Sequence, residues 1–103
     1  MSKRLAYLEK ITQEGSADPF HWYCLAQEYR SLEKWNEAVA VFEKLRERNA
    51  DYVPAYLMCV QTLEKLGRTD DAKSWAKAGM EKAKIKGDSH ALSELETALA
   101  SLG

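Results

Sequence analysis

The stretch DPFHWYCLAQEYRSL, Asp18 to Leu32, decides how this chain is read. It holds four aromatics, a cysteine and a histidine in fifteen residues, which makes it a reactive site, a ligand platform or packing. Asp18 precedes Pro19, pairing a side chain that caps free N–H groups with a residue that loses nothing at the first helical position. Beyond them Trp22, Leu25, Ala26 and Tyr29 recur at three- and four-residue spacing, one face of a helix.

Outward from this segment the punctuation repeats. The run NADYVP sets Asp51 ahead of Pro54, and Gly15, Gly67 and Gly87 each follow an amphipathic run, as helix C-termini do. Thr69 and Asp88, just after two of these glycines, are candidate N-caps. Helices are predicted over 3–14, 18–31, 36–48, 52–66, 69–85 and 89–102. Leu5, Leu8 and Ile11 make one apolar stripe, Val39, Phe42 and Leu45 another, and Leu92, Leu95, Leu99 and Leu102 the last. No alternating strand pattern of useful length occurs. The expected fold is all-α, with short loops making consecutive helices antiparallel neighbours.

The chain of 103 residues suits a single domain, and 46% apolar with 30% charged residues is an ordinary water-soluble composition. A net charge of −1 with no basic stripe argues against nucleic acid, whose phosphates demand clustered cations. The start, MSKRLAYLEKI, has no long apolar run, and no window approaches a membrane span, so a cytoplasmic protein is expected. Cys24 and Cys59 are too few for a disulfide framework and are expected as thiols.

Sliding the chain against itself by 34 residues sets Trp22 on Tyr56, Leu25 on Cys59, Tyr29 on Leu63, Leu32 on Leu66 and Ala38 on Ala72. Only four pairs between 18–50 and 52–84 are identical, but size, polarity and helix breaks agree. This period and spacing resemble the tetratricopeptide repeat, whose pattern is W-x2-L-G-x2-Y…A-x3-F…P. The first unit, 18–50, supplies Trp22, Leu25, Ala26, Tyr29, Ala38 and Phe42, with Ala26 for the glycine and Ala50 for the proline. The second, 52–85, is degenerate, with Tyr56, Cys59, Val60, Leu63, Ala72 and Ala76, and Lys84 at the proline site. Val60 is large for a close helix crossing, which is expected to be wider there. The resemblance implies a short right-handed α-solenoid of stacked antiparallel pairs. Residues 3–14 and 89–102 would then cap its ends.

The repeat makes Trp22, Leu25, Ala26 and Tyr29 core, and by the same pattern Trp35 and Trp75. His21 and Cys24 are three apart, but no further ligands converge on them for a metal and no third group orients them for nucleophilic chemistry. Glu33, Glu37, Asp70 and Asp71 lie at turns and first turns, where they favour the helix dipole. No catalytic residues, metal or cofactor are expected.

The resemblance also implies that the first helix of each unit lines a concave groove. That assigns Phe20, Tyr23, Gln27 and Arg30 from the first unit and Leu57, Gln61 and Glu64 from the second, with Met58 at the edge. His90, Ser93 and Thr97 extend the row if the last helix keeps register. Some members of this family grip C-terminal carboxylates of chaperones with a Lys/Asn/Arg clamp. Tyr23, Gln27 and Met58 occupy those positions here, so the clamp is absent and a mostly neutral groove is expected. The expected function is a non-catalytic adaptor or scaffold that binds a peptide or amphipathic helix of another protein. The alternative is a structural homodimer joined through the C-terminal leucine stripe or an exposed helix face.

Overall fold

The computed structural model describes residues 2–103. Six helices follow one another: α1 (Lys3–Gln13), α2 (Pro19–Ser31), α3 (Trp35–Arg48), α4 (Pro54–Lys65), α5 (Thr69–Lys86) and α6 (Ser89–Ser101). Each packs on the next, and α4 also touches α6, so antiparallel pairs stack into a slab of 37 × 28 × 19 Å. This is an all-α solenoid, with no strand among the described residues.

Side chains that end local hydrogen-bond deficits start three of the helices. Ser2 Oγ accepts from Leu5 N at 3.1 Å, Asp18 Oδ1 from Phe20 N at 2.9 Å, and Asp88 Oδ1 from Ala91 N at 3.0 Å. The other expected caps are not used. Thr69 is already the first helical residue; Arg68 stands at the cap, its N–H bonded back to Leu63 O and its side chain paired with Asp71 at 2.9 Å. Asp51 does not cap α4 either. A tight turn from Asn49 leads through Val53, itself helical, into Pro54, so the backbone enters the helix without a side-chain cap.

One core runs through the stack. Trp22, Leu25 and Ala26 of α2 meet Ala38, Val39, Phe42 and Leu45 of α3, then Tyr56, Cys59, Val60 and Leu63 of α4, Ala72, Trp75 and Ala76 of α5, and Leu95 of α6. Tyr29 is partly buried at its edge and donates to Glu9 Oε2 at 2.5 Å, tying α2 to α1. Trp22 Nε1 donates to the Ser16 carbonyl at 2.9 Å, and the Arg48 guanidinium covers its ring at 4.8 Å from the centroid. Arg46 likewise covers Trp75 at 4.7 Å. The two buried threonines, Thr12 and Thr62, return their hydroxyls to carbonyls four residues back, each at 2.7 Å.

Trp35 departs from expectation. It is half-buried at the start of α3, with Lys65 Nζ 5.9 Å from its ring, and it lines a surface hollow beside Gln27 and Arg30 instead of joining the core. The leucine stripe of α6 is spent inward: Leu95 is buried, Leu99 and Leu102 pack on the core, and Leu92 is half-buried. Dimerisation through that stripe would have only the partly exposed edges of Leu92, Leu99 and Leu102 to use.

Candidate functional site

Helices α2, α4 and α6 share one face of the slab, and two adjoining hollows open on it. The first, about 300 Å³, is lined by Tyr23 of α2, by Pro54, Leu57 and Met58 of α4, and by His90, Ala91 and Glu94 of α6. The second, about 370 Å³, continues past Leu57 to Gln61 and Glu64, with His90, Ser93 and Thr97 opposite. A third hollow, over Gln27, Arg30, Ser31 and Trp35, lies at the α2–α3 end. The expected row is thus assembled on one face. Tyr23, Leu57, Met58, Gln61 and Glu64 line the first two hollows, and Gln27 and Arg30 the third. Phe20 stands apart, 53% exposed at the rim and stacked on Tyr23 with 6.4 Å between ring centroids.

Packing holds the aromatic end in place. Tyr23 leans on Tyr52 at 5.7 Å between centroids, and burial pushes both phenols above their ordinary pKa. Tyr52 was not legible as a site residue, because it precedes α4 and its partner in the 34-residue alignment is Asp18. Asp88 and Glu94, also missed, put carboxylates along the α6 side, where His90 Nε2 approaches Glu94 Oε1 at 3.2 Å.

Arg30 makes the groove less neutral than the sequence implies. Its guanidinium is half-buried, donating through one terminal nitrogen to Gln27 Oε1 at 3.0 Å and Met58 Sδ at 3.1 Å. The other terminal nitrogen donates to Gln61 Oε1 at 3.3 Å. Burial pulls its pKa below the ordinary value. It forms no ion pair with any carboxylate among the described residues.

His21 and Cys24 of the opening segment, and Cys59 of α4, belong to no metal-binding cluster among the described residues. His21 Nδ1 shares a hydrogen bond with Ser16 Oγ at 2.7 Å, and its Nε2 lies 3.9 Å from Asp18. Cys24 is buried, and Cys59 is fully buried with its thiol pushed up to about 12 by desolvation, which removes the nucleophilic thiolate at neutral pH.

Antiparallel pairs stacked with their first helices on a common face define an α-helical repeat domain. The chain belongs to the tetratricopeptide repeat family, whose sequence model matches residues 29–84. The crystal structure of a tetratricopeptide repeat domain protein from Salinibacter ruber is 40% identical, with a TM-score of 0.78 over 82% of this chain and 96% of that one. A solution structure of a tetratricopeptide repeat domain protein from the same organism is also 40% identical, with a TM-score of 0.79 over 82% of this chain and 86% of that one. A Bordetella parapertussis protein solved in solution shares the fold at 22% identity, with a TM-score of 0.83 over 99% of this chain and 89% of that one. Among curated proteins none matches significantly. Among the described residues no helix is long and apolar enough to cross a membrane.

Proposed function

We propose that this repeat domain is a non-catalytic adaptor that receives a peptide or short amphipathic helix of another protein along α2, α4 and α6. Tetratricopeptide repeats are protein-interaction modules in general, and the choice of surface is the specific part of the reading. The observation that carries it is the first hollow. Tyr23, Pro54, Leu57 and Met58, from two successive first helices, leave an apolar depression open on the face that these helices share. Amide and acidic groups flank it at Gln61, Glu64 and Glu94. Apolar anchors ringed by polar groups are how such grooves hold a partner, with the amides pairing to its backbone. The cytoplasmic placement belongs to the same proposal.

A photo-crosslinking residue placed at Gln61 in the native cell tests the surface directly, with the same residue at Lys77 on α5 as control. A discrete protein adduct from position 61 and none from 77 supports the groove. The reverse pattern would move the binding surface to the second helices and end this reading.

A further inference from the structure

The Arg30 guanidinium is a charge without a counter-charge. Neutral acceptors alone meet its terminal nitrogens, namely the Gln27 and Gln61 amides and the Met58 thioether, the last a weak acceptor. Its Nε is buried with no hydrogen-bond partner among the described residues. Withdrawing a cation from water costs free energy unless an anion compensates, and a planar guanidinium is shaped for a carboxylate held through two parallel bonds. The position is also central. Arg30 lines the third hollow and bonds to Met58 of the first and Gln61 of the second.

We infer that Arg30 is the receptor for an aspartate or glutamate side chain of the segment that occupies the groove. The carboxylate replaces Met58 Sδ as acceptor and takes the fork of the guanidinium, while Gln27 and Gln61 hold the arginine in place. A side chain fits better than a chain terminus, because Arg30 lines one hollow and bonds to residues of the other two, so a segment that fills them runs past the guanidinium. The rest of the groove fixes where the acid goes. Glu64, Asp88 and Glu94 line its α4 and α6 portion and repel a second acid there. The partner segment is therefore acidic at the α2 end and apolar over Tyr23 and Leu57. This inference rests on the groove reading above and adds the charge of the occupant.

The test is selection from two random peptide libraries, one displayed with its C-terminus fused and one with it free. The strongest fused-library binder is then synthesised with amidated ends, beside a copy carrying Gln or Asn for its acid. The expected result is an acidic position in the selected set. Amide replacement should then weaken binding to the wild-type protein about tenfold or more, the scale of a charge-assisted hydrogen bond. Against Arg30→Gln the same replacement should change little, and Arg30→Met, which keeps the volume, serves if the glutamine variant loses helix. Selected peptides without an acidic position, or an acid whose effect survives in both arginine variants, would overturn the inference. So would acid preference confined to free C-termini, which would make the ligand a terminal carboxylate. Binders indifferent to Tyr23→Ala with Leu57→Ala would instead remove the groove reading itself, and failure to select any peptide would count against both.

Discussion

Gly79 of α5 faces Tyr56 of α4 so closely that a Cβ on the glycine would stand 2.6 Å from the tyrosine Cβ, and 3.0 Å from Leu95 Cδ1 of α6. Three helices meet at this point, and the missing methyl lets them do so. The sequence directs attention to Val60, expected to widen a crossing; that residue is fully buried, and the close approach is made at Gly79 on the second helix of the pair. Gly79→Ala gains about 1 kcal/mol of helix propensity but must move the Tyr56 backbone attachment, an overpacking cost of roughly 1–3 kcal/mol or more. Denaturant unfolding should show a net loss of stability. A gain would mean that α4 and α5 separate freely.

Glu33 turns the chain between α2 and α3 with φ 57°, the left-handed conformation that Gly67 takes at φ 71° exactly one 34-residue period later. A side chain here bears a strain of roughly 1–2 kcal/mol that glycine avoids, less the entropy glycine adds to the unfolded chain. Glu33→Gly should leave stability unchanged or raise it by about 1 kcal/mol. A clear destabilisation in thermal unfolding would assign the Glu33 side chain a contact that outweighs its backbone strain.

Gly79 and Glu33 mark the limit of what was legible. Pro19 and the glycines at 15, 67 and 87 announce helix limits because their covalent structure restricts or frees the backbone, and Asp18 does so because its carboxylate accepts a free N–H of the first turn. Trp22, Leu25 and Ala26 announce the core through periodicity. Glu33 carries no such signal, and Gly79 reads as a weak helix residue until the helix against it is known. Trp35 was misplaced because apolar character alone does not distinguish the core from a half-covered rim beside Arg30. Along the groove, helical offsets brought the residues to one face. The unpaired state of Arg30 was hidden, because it depends on which side chains of α4 reach it.

Cys59 and Tyr29 make stability fall in alkali. Burial raises the Cys59 thiol from 9.0 to about 12. Burial, with the Glu9 hydrogen bond, raises the Tyr29 phenol from 10.0 to about 12. The folded protein keeps both protons where the unfolded chain begins to lose them, so this stability is present below about pH 9 and is lost as pH rises toward 12. Unfolding free energies measured from about pH 8 to about pH 10.5 should decline, and Cys59→Ala should flatten the lower part of that decline. An unchanged slope in the variant would show that the thiol titrates equally in both states.

Removing α6 tests its role as an end cover. Leu95 is 1% exposed and seats against Gly79, while Leu99 and Leu102 pack on the same core. A chain ending at Gly87 bares that apolar surface of α4 and α5, and such surfaces drive association. Light scattering should find oligomers or aggregates. A monomer of unchanged stability would show α6 to be dispensable.

The proposed function puts the partner on the α2–α4–α6 face. The most direct measurement is the affinity of the partner recovered by crosslinking for Tyr23→Ala combined with Leu57→Ala, beside Lys44→Glu combined with Lys77→Glu on the second helices. Truncating an anchor of a groove costs more than about 1 kcal/mol, and about 2 kcal/mol at the strongest positions. The account predicts at least a hundredfold (roughly 3 kcal/mol) weakening for the inner pair with helical circular dichroism retained, and less than about threefold for the outer pair. Loss of binding in the outer pair, with the inner pair unaffected, would contradict it.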